Sequence, residues 1–209
     1  FGRDEKDFKN AVADIQKQFP GSEVYGTPAD VTKKEDIQKI LEIADNQLGG
    51  IDILINNAAL GAPGITNESY DDYKYIIDTN ITGYLAFAQE VASRMKQQKS
   101  GHIINIGSMS AESKEAKSTI YVATKSAIRG FSTSLRKELN PLGIKVSLIE
   151  PGAVTSDMQP GTNAEQEEKI EKMEMLEAYD IAMCTLFCLS QPKRCDIVTM
   201  QIRPHLQLI

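Results

Sequence analysis

The sequence predicts an α/β fold, a doubly wound parallel sheet with helices on both faces. Short apolar runs at 51–55, 103–106 and 144–149 have the length and composition of strands that are buried on both sides. Amphipathic helical patterns separate these runs along the chain. Because buried strands that alternate with helices form parallel crossovers, the pattern is typical of a Rossmann-type architecture.

The N-terminal half begins inside or just before an amphipathic helix, whose apolar positions are Phe8, Val12, Ile15 and Phe19. A short strand is predicted at about 23–26. Thr32 and Glu35 have the spacing of a capping box at the start of a second helix, which ends before Gly49 and Gly50. The buried strand at 51–55 then follows.

The C-terminal half continues the alternation. A long helical pattern runs from about 70 to 95, and the strand at 103–106, a helix at 121–139 and the strand at 144–149 follow it. Two shorter helices and a last strand at 196–202 complete the predicted fold. The chain has no internal repeat, low-complexity tract or linker, so we expect residues 1–209 to form one domain.

The composition narrows the class of protein and of partner. Of the 209 residues, 41% are hydrophobic and 25% are charged, which is typical of a globular domain. The net charge of -6 is spread without a basic cluster, so we expect no nucleic-acid partner. No apolar run is long enough to cross a bilayer, and the first residues are charged where a signal peptide is apolar. We therefore predict a cytoplasmic protein with no membrane partner.

The cysteines and histidines predict no metal site. Cys184 and Cys188 lie one helical turn apart in an apolar stretch, and Cys195 stands alone, so we interpret all three as core thiols. His102 and His205 are not grouped with them at the spacing of metal ligands.

Three side chains predict proton-transfer chemistry. Tyr121 and Lys125 are four residues apart in a predicted helix and share one face, although a packed tyrosine beside a solvated lysine has the same spacing. An ammonium about 4 Å from the phenol would stabilise the phenolate by at most about 4 kcal/mol, which predicts a lowered pKa for Tyr121. Ser108 ends the strand at 102–107, so its hydroxyl and the phenol can face one cleft. Such a group can exchange a proton with an alcohol or carbonyl oxygen.

Five motifs occur in a fixed order along the chain. They are Asp30-Val31, Asn56-Asn57-Ala58-Ala59, Asp78-Thr79-Asn80, Ser108 with Tyr121-Val122-Ala123-Thr124-Lys125, and Pro151-Gly152-Ala153-Val154. On these motifs the sequence resembles the short-chain dehydrogenase/reductase family from Arg3 onward. The resemblance implies an oxidoreductase that moves a hydride between a nicotinamide dinucleotide and a small alcohol or carbonyl substrate.

The resemblance also implies a role for each catalytic residue. Tyr121 would exchange the proton on the substrate oxygen, Ser108 would polarise the carbonyl, and Lys125 would also hold the nicotinamide ribose. Asn80 would bend its helix and help to hold a water that connects Lys125 to solvent. The resemblance further implies a homodimer or homotetramer, in which Phe87 and Phe131 are either contacts between subunits or parts of the core.

The predicted cofactor contacts come from the same motifs and from the N-terminal register. They are Arg3, Asp30, Val31, Asn57, Ala58, Ala59, Tyr121, Lys125, Pro151, Gly152, Val154 and Ser156. If the helix that begins near Asp4 follows the second strand of a dinucleotide fold, Gly2 lies where NAD enzymes have an acidic residue. Arg3 would then meet a 2′-phosphate, which predicts NADP(H) rather than NAD(H). In a register shifted by one or two residues, Asp4 or Glu5 would instead serve the ribose.

The sequence departs from the family pattern in several places. Ala59 stands where the family usually has glycine, and either Thr155 or Ser156 would serve the nicotinamide carboxamide. The tail at 198–204 lacks the Asp-Gly-Gly ending of ketoacyl-carrier-protein reductases and is more similar to the branch of 3-hydroxy-acid and serine dehydrogenases. The predicted substrate loop at about 156–177 is generic, and we interpret its Met158 and Met173 as core methionines rather than pocket residues.

The glycine-rich turn that cradles a pyrophosphate is not found in this sequence. We therefore expect an N-terminally incomplete chain, preceded by an apolar strand and a Gly-x-x-x-Gly-x-Gly turn. The alternative function is a catalytically silent dinucleotide-binding scaffold or sensor on the same fold, whose mark would be a broken catalytic group. All four catalytic residue types are present.

Overall fold

The computed structural model describes residues 1–159 and 161–207. Its strands are β1 (Ile53–Asn56), β2 (Gly101–Ile106), β3 (Ile144–Pro151) and β4 (Thr199–Ile202). Its α-helices are α1 (Glu5–Gln18), α2 (Lys34–Ile43), α3 (Tyr70–Ile77), α4 (Gly83–Gln98), α5 (Ser110–Ser113), α6 (Thr119–Leu139), α7 (Asn163–Glu171) and α8 (Ala178–Leu189). Two π-helical turns, Ala44–Leu48 and Asp78–Thr82, and two 3-10 turns, Ile65–Asn67 and Asn140–Leu142, join them.

The four strands form one parallel sheet in the order β1-β2-β3-β4. Their carboxyl ends therefore lie along the same edge, which is where ligands bind in open α/β sheets. Helices cover both faces of the sheet. Val91, Ile103 and Val146 belong to the core on one face, whereas Ile104 packs with Cys188 of α8 on the other. The predicted doubly wound fold is confirmed.

Two exposed side chains mark the β1 end of the sheet. Ile53 and Ile55 face the same side as their register partners on β2 but remain 46% and 45% exposed.

Phe87 is 3% exposed and stacks on Phe1 with ring centroids 5.2 Å apart. Phe87 was interpreted as either a contact between subunits or part of the core, and the structure supports the core.

The predicted strand at 23–26 is wrong. The structure has only an isolated bridge between Gly2 and Pro28, with the Ala29 N–H donating to the Gly2 carbonyl at 2.9 Å. A strand requires a continuous hydrogen-bonded neighbour. That bridge lies after the predicted range, and in the described part of the chain residues 23–26 form no ladder contact.

The predicted capping box of Thr32 and Glu35 is also wrong. The N-cap of α2 is Lys33, which makes no side-chain cap. The Thr32 hydroxyl instead donates to Asp30 Oδ1 at 2.8 Å. Asp30 is thereby built into the turn before α2, and its own N–H donates to Asp36 Oδ2 at 2.8 Å.

The cysteines are free thiols; Cys188 is buried, and Cys184 and Cys195 are half-buried. Among the described residues, no helix is both long and apolar enough to cross a membrane. In the same ranges, no group of three or more His, Cys, Asp or Glu side chains is arranged to hold a metal ion.

Candidate active site

A cavity of about 320 Å³ lies at the edge of the sheet where β2 and β3 end. Ser108 follows β2, Pro151 ends β3, and Tyr121 reaches the cavity from the first turn of α6. The Met109 N–H donates to the Pro151 carbonyl at 2.8 Å, so main-chain bonds join the two loops beyond the strands. Ser108 and Tyr121 therefore face one cavity, as predicted. Its other lining residues include Glu115, Met158, Gln159 and Gln207.

The environment of Tyr121 raises the pKa of its phenol. Burial raises this pKa, the hydrogen-bonding side chain of Ser108 lowers it, and the charge of Glu115 raises it again. The net direction is upward, so the predicted lowering is wrong for the chain by itself. The physical reason is that burial disfavours the phenolate, and the lysine does not compensate for it.

Lys125 lies behind the phenol rather than in the cavity. It is 2% exposed, and its Nζ lies 5.6 Å from the centroid of the Tyr121 ring. The ammonium donates to the carbonyl oxygen of Ile106, the last residue of β2, at 2.9 Å. Burial lowers the pKa of Lys125 to about 8. With this pKa, Lys125 loses its charge at a lower pH than the one at which the phenol, whose pKa is raised, would lose its proton.

Asn80 lies in the π-helical turn Asp78–Thr82 between α3 and α4. Such turns insert an extra residue into a helix and often occur at functional sites. The Asn80 side chain accepts from the Leu60 N–H at 2.7 Å and donates to the Leu60 carbonyl at 2.8 Å. It also donates to the Thr124 hydroxyl at 3.2 Å. Asn80 thereby joins the turn after β1 to the helix that carries Tyr121 and Lys125.

Sequence reasoning missed Tyr84, which is 2% exposed on α4. Its hydroxyl donates to the same Ile106 carbonyl at 3.2 Å, and its ring centroid lies 5.8 Å from Lys125 Nζ. Burial raises the pKa of Tyr84 far above its ordinary value, which keeps the hydroxyl a donor. The one available signal was its position four residues after Asn80, and a tyrosine in an apolar helix is usually interpreted as core.

The loop after β3 is held from two sides. The Gly152 backbone approaches Gln207 so closely that a Cβ atom there would lie 2.1 Å from Gln207 Oε1. That oxygen accepts from the Ala153 N–H at 3.0 Å. Val154 forms an isolated bridge with Leu176. Sequence reasoning also missed Gln207, because only the fold brings the tail to this loop.

The predicted substrate loop at 156–177 contains helix α7. Its buried Gln166 clamps the Ser156 backbone, accepting from the N–H at 3.1 Å and donating to the carbonyl at 3.2 Å. Met158 is 49% exposed and lines the cavity, and Met173 is 53% exposed outside any α-helix. The interpretation of both as core methionines is therefore wrong, since neither is buried.

A second group of predicted residues lies together near the start of α1. Arg3 donates to the Tyr75 hydroxyl at 3.0 Å, and that hydroxyl donates to Asp30 Oδ2 at 3.0 Å. Burial raises the pKa of Asp30, but hydrogen bonds from Thr32 and Tyr75 outweigh it and hold this pKa below its usual value. Tyr75 is the connecting residue that the sequence did not single out.

The remaining predicted contacts lie in the turn after β1 and at Val31 beside it. Asn57 is exposed, Ala58 and Ala59 are half-buried, and Val31 is buried nearby at 8% exposure. Among the described non-glycine residues, positive φ angles occur at Lys99, Lys114, Lys117 and Met173. Ala59 therefore does not adopt the left-handed conformation that would have required glycine.

These residues can be compared with known proteins. A family model described as short chain dehydrogenase matches residues 1–167. The chain belongs to the short-chain dehydrogenase family. The predicted resemblance is thereby confirmed, and the chain is an oxidoreductase of a family that binds a nicotinamide dinucleotide.

Relatives and solved structures of this family support the assignment. An uncharacterized oxidoreductase of Staphylococcus aureus (strain USA300) is 36% identical over 197 residues, covering 94% of this chain and 83% of that protein. One of Staphylococcus saprophyticus is 33% identical over 207 residues, covering 97% and 84%. The closed form of serine dehydrogenase complexed with NADP+ has a TM-score of 0.86 at 28% identity, covering 100% of this chain and 85% of that one. The serine dehydrogenase from Escherichia coli has a TM-score of 0.82 at 27% identity, covering 100% and 86%.

The residues of this short-chain dehydrogenase fit a dinucleotide. Lys125 has three N–H donors, and within 1–159 and 161–207 its one recorded hydrogen bond is to Ile106. A buried ammonium with spare donors fits a ribose diol. The Thr79 hydroxyl, 5% exposed beside Asn57 and Ala58, has no hydrogen-bond partner in those ranges. Both features are polar groups that a bound cofactor would satisfy.

Proposed function

We propose that the chain transfers a hydride between NADP(H) and an alcohol or carbonyl substrate, with Tyr121 as the proton donor and acceptor. The observation that carries the proposal is the joint position of Ser108 and Tyr121 in one cavity, with the buried Lys125 behind the phenol ring. A broken catalytic group would favour the silent scaffold, but here the Ser108 side chain hydrogen-bonds Tyr121, and Lys125 lies behind the phenol ring. Asn80 is tied to the same helix through the Thr124 hydroxyl.

In carbonyl reduction, each of the catalytic residues would have its own role. When bound, a dinucleotide would supply the hydride for the carbonyl carbon. The Ser108 hydroxyl donates a hydrogen bond to the carbonyl oxygen, and Tyr121 gives that oxygen its proton, so that one hydride and one proton complete the alcohol. Lys125 would donate to the ribose and return a proton to the phenolate, and solvent would then restore the proton on Lys125. In oxidation, each of these steps runs in reverse.

Asn80 keeps this arrangement in position. Its paired hydrogen bonds to Leu60 fix the turn after β1, and its bond to Thr124 fixes the helix turn between Tyr121 and Lys125. The Thr124 hydroxyl in turn donates to the Tyr121 carbonyl at 2.9 Å. We therefore infer that Asn80 orients the proton-transfer groups. Asn80 would also help to hold a water that connects Lys125 to solvent.

The proposed preference for NADP(H) rests on Arg3. The α1 helix begins at Glu5 with Asp4 as its N-cap, so Asp4 is already bound to the Asp7 N–H. Glu5 pairs with Lys9. One oxygen of each acid is thus engaged within the helix, which supports the register that assigns Arg3 to the 2′-phosphate. One of the similar solved structures is an NADP+ complex.

Two further predictions belong to this proposal. We propose that the chain forms a homodimer or homotetramer, as is common in the family, and light scattering at micromolar concentration tests it: a monomer mass would contradict it. We also propose that it acts in the cytoplasm, which its three free cysteines support because thiols stay reduced there.

A panel of alcohols and carbonyl compounds tests the proposed function. NADPH absorbance would report turnover of hydroxy acids, serine, steroids, sugars and simple ketones in either direction. We expect at least one class to react with the wild type. The matched control is Tyr121→Phe, which must remain folded and lose that activity. No turnover of any class, together with dinucleotide binding by calorimetry, would instead support the scaffold.

A further inference from the structure

Glu115 gives the active-site cavity its charge. It lies between α5 and α6 and lines the cavity together with Ser108 and Tyr121. Of the cavity-lining side chains in the described ranges, it is the one that belongs to a charged residue type; lysine, arginine and aspartate are not among them. As far as the structure describes its lining, the cavity where substrate would bind therefore contains one acidic group and no basic one.

One oxygen of this carboxylate is without a partner. Glu115 Oε1 accepts from the Ser113 hydroxyl. Oε2 is buried, and in the part of the chain that the structure describes it has no hydrogen-bond partner. A buried carboxylate oxygen without a donor is costly, because its hydration is lost and nothing replaces it. A ligand that carries a hydrogen-bond donor would remove this cost.

The carboxylate also acts on the catalytic phenol. Its negative charge contributes to the raised pKa of Tyr121, which indicates that the two groups interact across the cavity. A cation bound at the carboxylate would offset this effect. A second anion would add to it, since like charges at close range disfavour each other.

On these observations, and resting on the proposed oxidoreductase function, we propose that Glu115 binds the ammonium group of the substrate, a small amino alcohol or the corresponding amino ketone. The Glu115 carboxylate would accept a charge-assisted hydrogen bond from the ammonium while Ser108 and Tyr121 hold the reacting oxygen. The volume of about 320 Å³ is at the lower end of ligand pockets and fits a small molecule. Substrates with a carboxylate or phosphate in place of the ammonium are disfavoured, because no basic side chain of the described residues lines the cavity.

Three matched secondary alcohols test the proposal with NADP+ near neutral pH. They are 1-amino-2-propanol, the neutral 1,2-propanediol and the anionic lactate. We expect the wild type to have the highest kcat/KM for the amino alcohol. Glu115→Gln should reduce kcat/KM for the amino alcohol by about 10- to 100-fold and change that for the diol by less than about threefold. Glu138→Gln, which removes the same charge at an exposed position of α6, should leave all three unchanged.

Two results would overturn the proposal. One is equal or better turnover of the diol or lactate by the wild type, and the other is an unchanged amino-alcohol rate in folded Glu115→Gln. If no compound in the wider panel reacts, the proposed function fails. Calorimetry would still test whether Glu115 binds the ammonium group. In that case the wild type should bind 1-amino-2-propanol at least about tenfold more tightly than Glu115→Gln does, and equal binding would overturn the proposal.

Discussion

Tyr84 and Lys125 donate to the same carbonyl oxygen, that of Ile106, at 3.2 and 2.9 Å. Both side chains are 2% exposed, and they come from different helices, α4 and α6. A carbonyl oxygen has two lone pairs, and here both are used. The tyrosine thus fixes the geometry of the acceptor on which the buried lysine depends.

Tyr84→Phe should weaken the hold on Lys125 without unfolding the protein. We expect the loss of one buried hydrogen bond, or about 1 kcal/mol of unfolding free energy, and a several-fold rise in KM for the dinucleotide. Urea denaturation and steady-state kinetics would measure the two effects. Tyr70→Phe, at a position that is 65% exposed, is the control. A variant with wild-type KM and stability would show that Tyr84 is only a packing residue.

Tyr121→Phe should keep the fold and lose at least about 100-fold in turnover, because only the proton-transfer hydroxyl is removed. Steady-state rates with the best substrate of the panel would measure the loss, and circular dichroism would check the fold. Tyr179→Phe removes a hydroxyl from a residue of α8 that is 67% exposed, and it should be unaffected. A near-normal rate in folded Tyr121→Phe would rule out the proposed role.

Lys125→Met should be inactive yet more stable than the wild type at neutral pH. Burial lowers the pKa of Lys125 from 10.5 to about 8, so the folded state holds its charge at a cost of about 3 kcal/mol. Between these two pKa values the unfolded chain binds more protons than the folded one, and wild-type stability therefore rises with pH. The advantage of the variant should shrink from pH 8 to pH 10.5. Urea midpoints without dinucleotide would test this, and an advantage that grows with pH would contradict it.

Glu150 and Arg129 form an ion pair directly beneath the loop after β3. Glu150 is 0% exposed, and its two oxygens accept from Arg129 Nε at 2.7 Å and Nη2 at 2.9 Å. Arg129→Ala should cost about 3 to 5 kcal/mol of unfolding free energy, because it leaves the carboxylate buried and unpaired. The double change to Met at both positions should cost less than Arg129→Ala alone. A double variant that is the less stable of the two would show that the pair itself is the larger stabilising factor.

The sequence predicted the parts of the site that depend on local spacing. Tyr121 and Lys125 share a face because any helix brings residues four apart together, and the sheet follows from apolar runs that only a buried strand explains. Glu115 and Gln207 were not predicted, because only the fold brings a loop and the tail to the same cavity. The predicted direction of the Tyr121 pKa shift was wrong for a related reason. Spacing along the sequence reveals the neighbouring charge, whereas burial depends on the whole fold.

Arg3 carries the predicted preference for NADP(H). Its guanidinium lies over the Tyr75 ring, 5.8 Å from the centroid, and donates to the Tyr75 hydroxyl, which in turn donates to Asp30. Tyr75 therefore orients a cation where the proposed register places the adenosine ribose. A charge-assisted bond from this arginine to a 2′-phosphate would contribute about 1.5 to 3 kcal/mol, or about ten- to a hundredfold in affinity.

Arg3→Ala should accordingly raise KM for NADPH by about ten- to a hundredfold and leave KM for NADH within about twofold. Tyr75→Phe should produce a smaller change in the same direction, because it removes only the group that orients the guanidinium. Arg194→Ala is the matched control, since that arginine is exposed beside His102 and Lys145 at the opposite edge of the sheet. The ratio of kcat/KM for the two dinucleotides is the deciding measurement. A wild-type preference for NADH, or the same ratio in Arg3→Ala, would mean that the register around Arg3 is wrong and that an acidic neighbour meets the ribose instead.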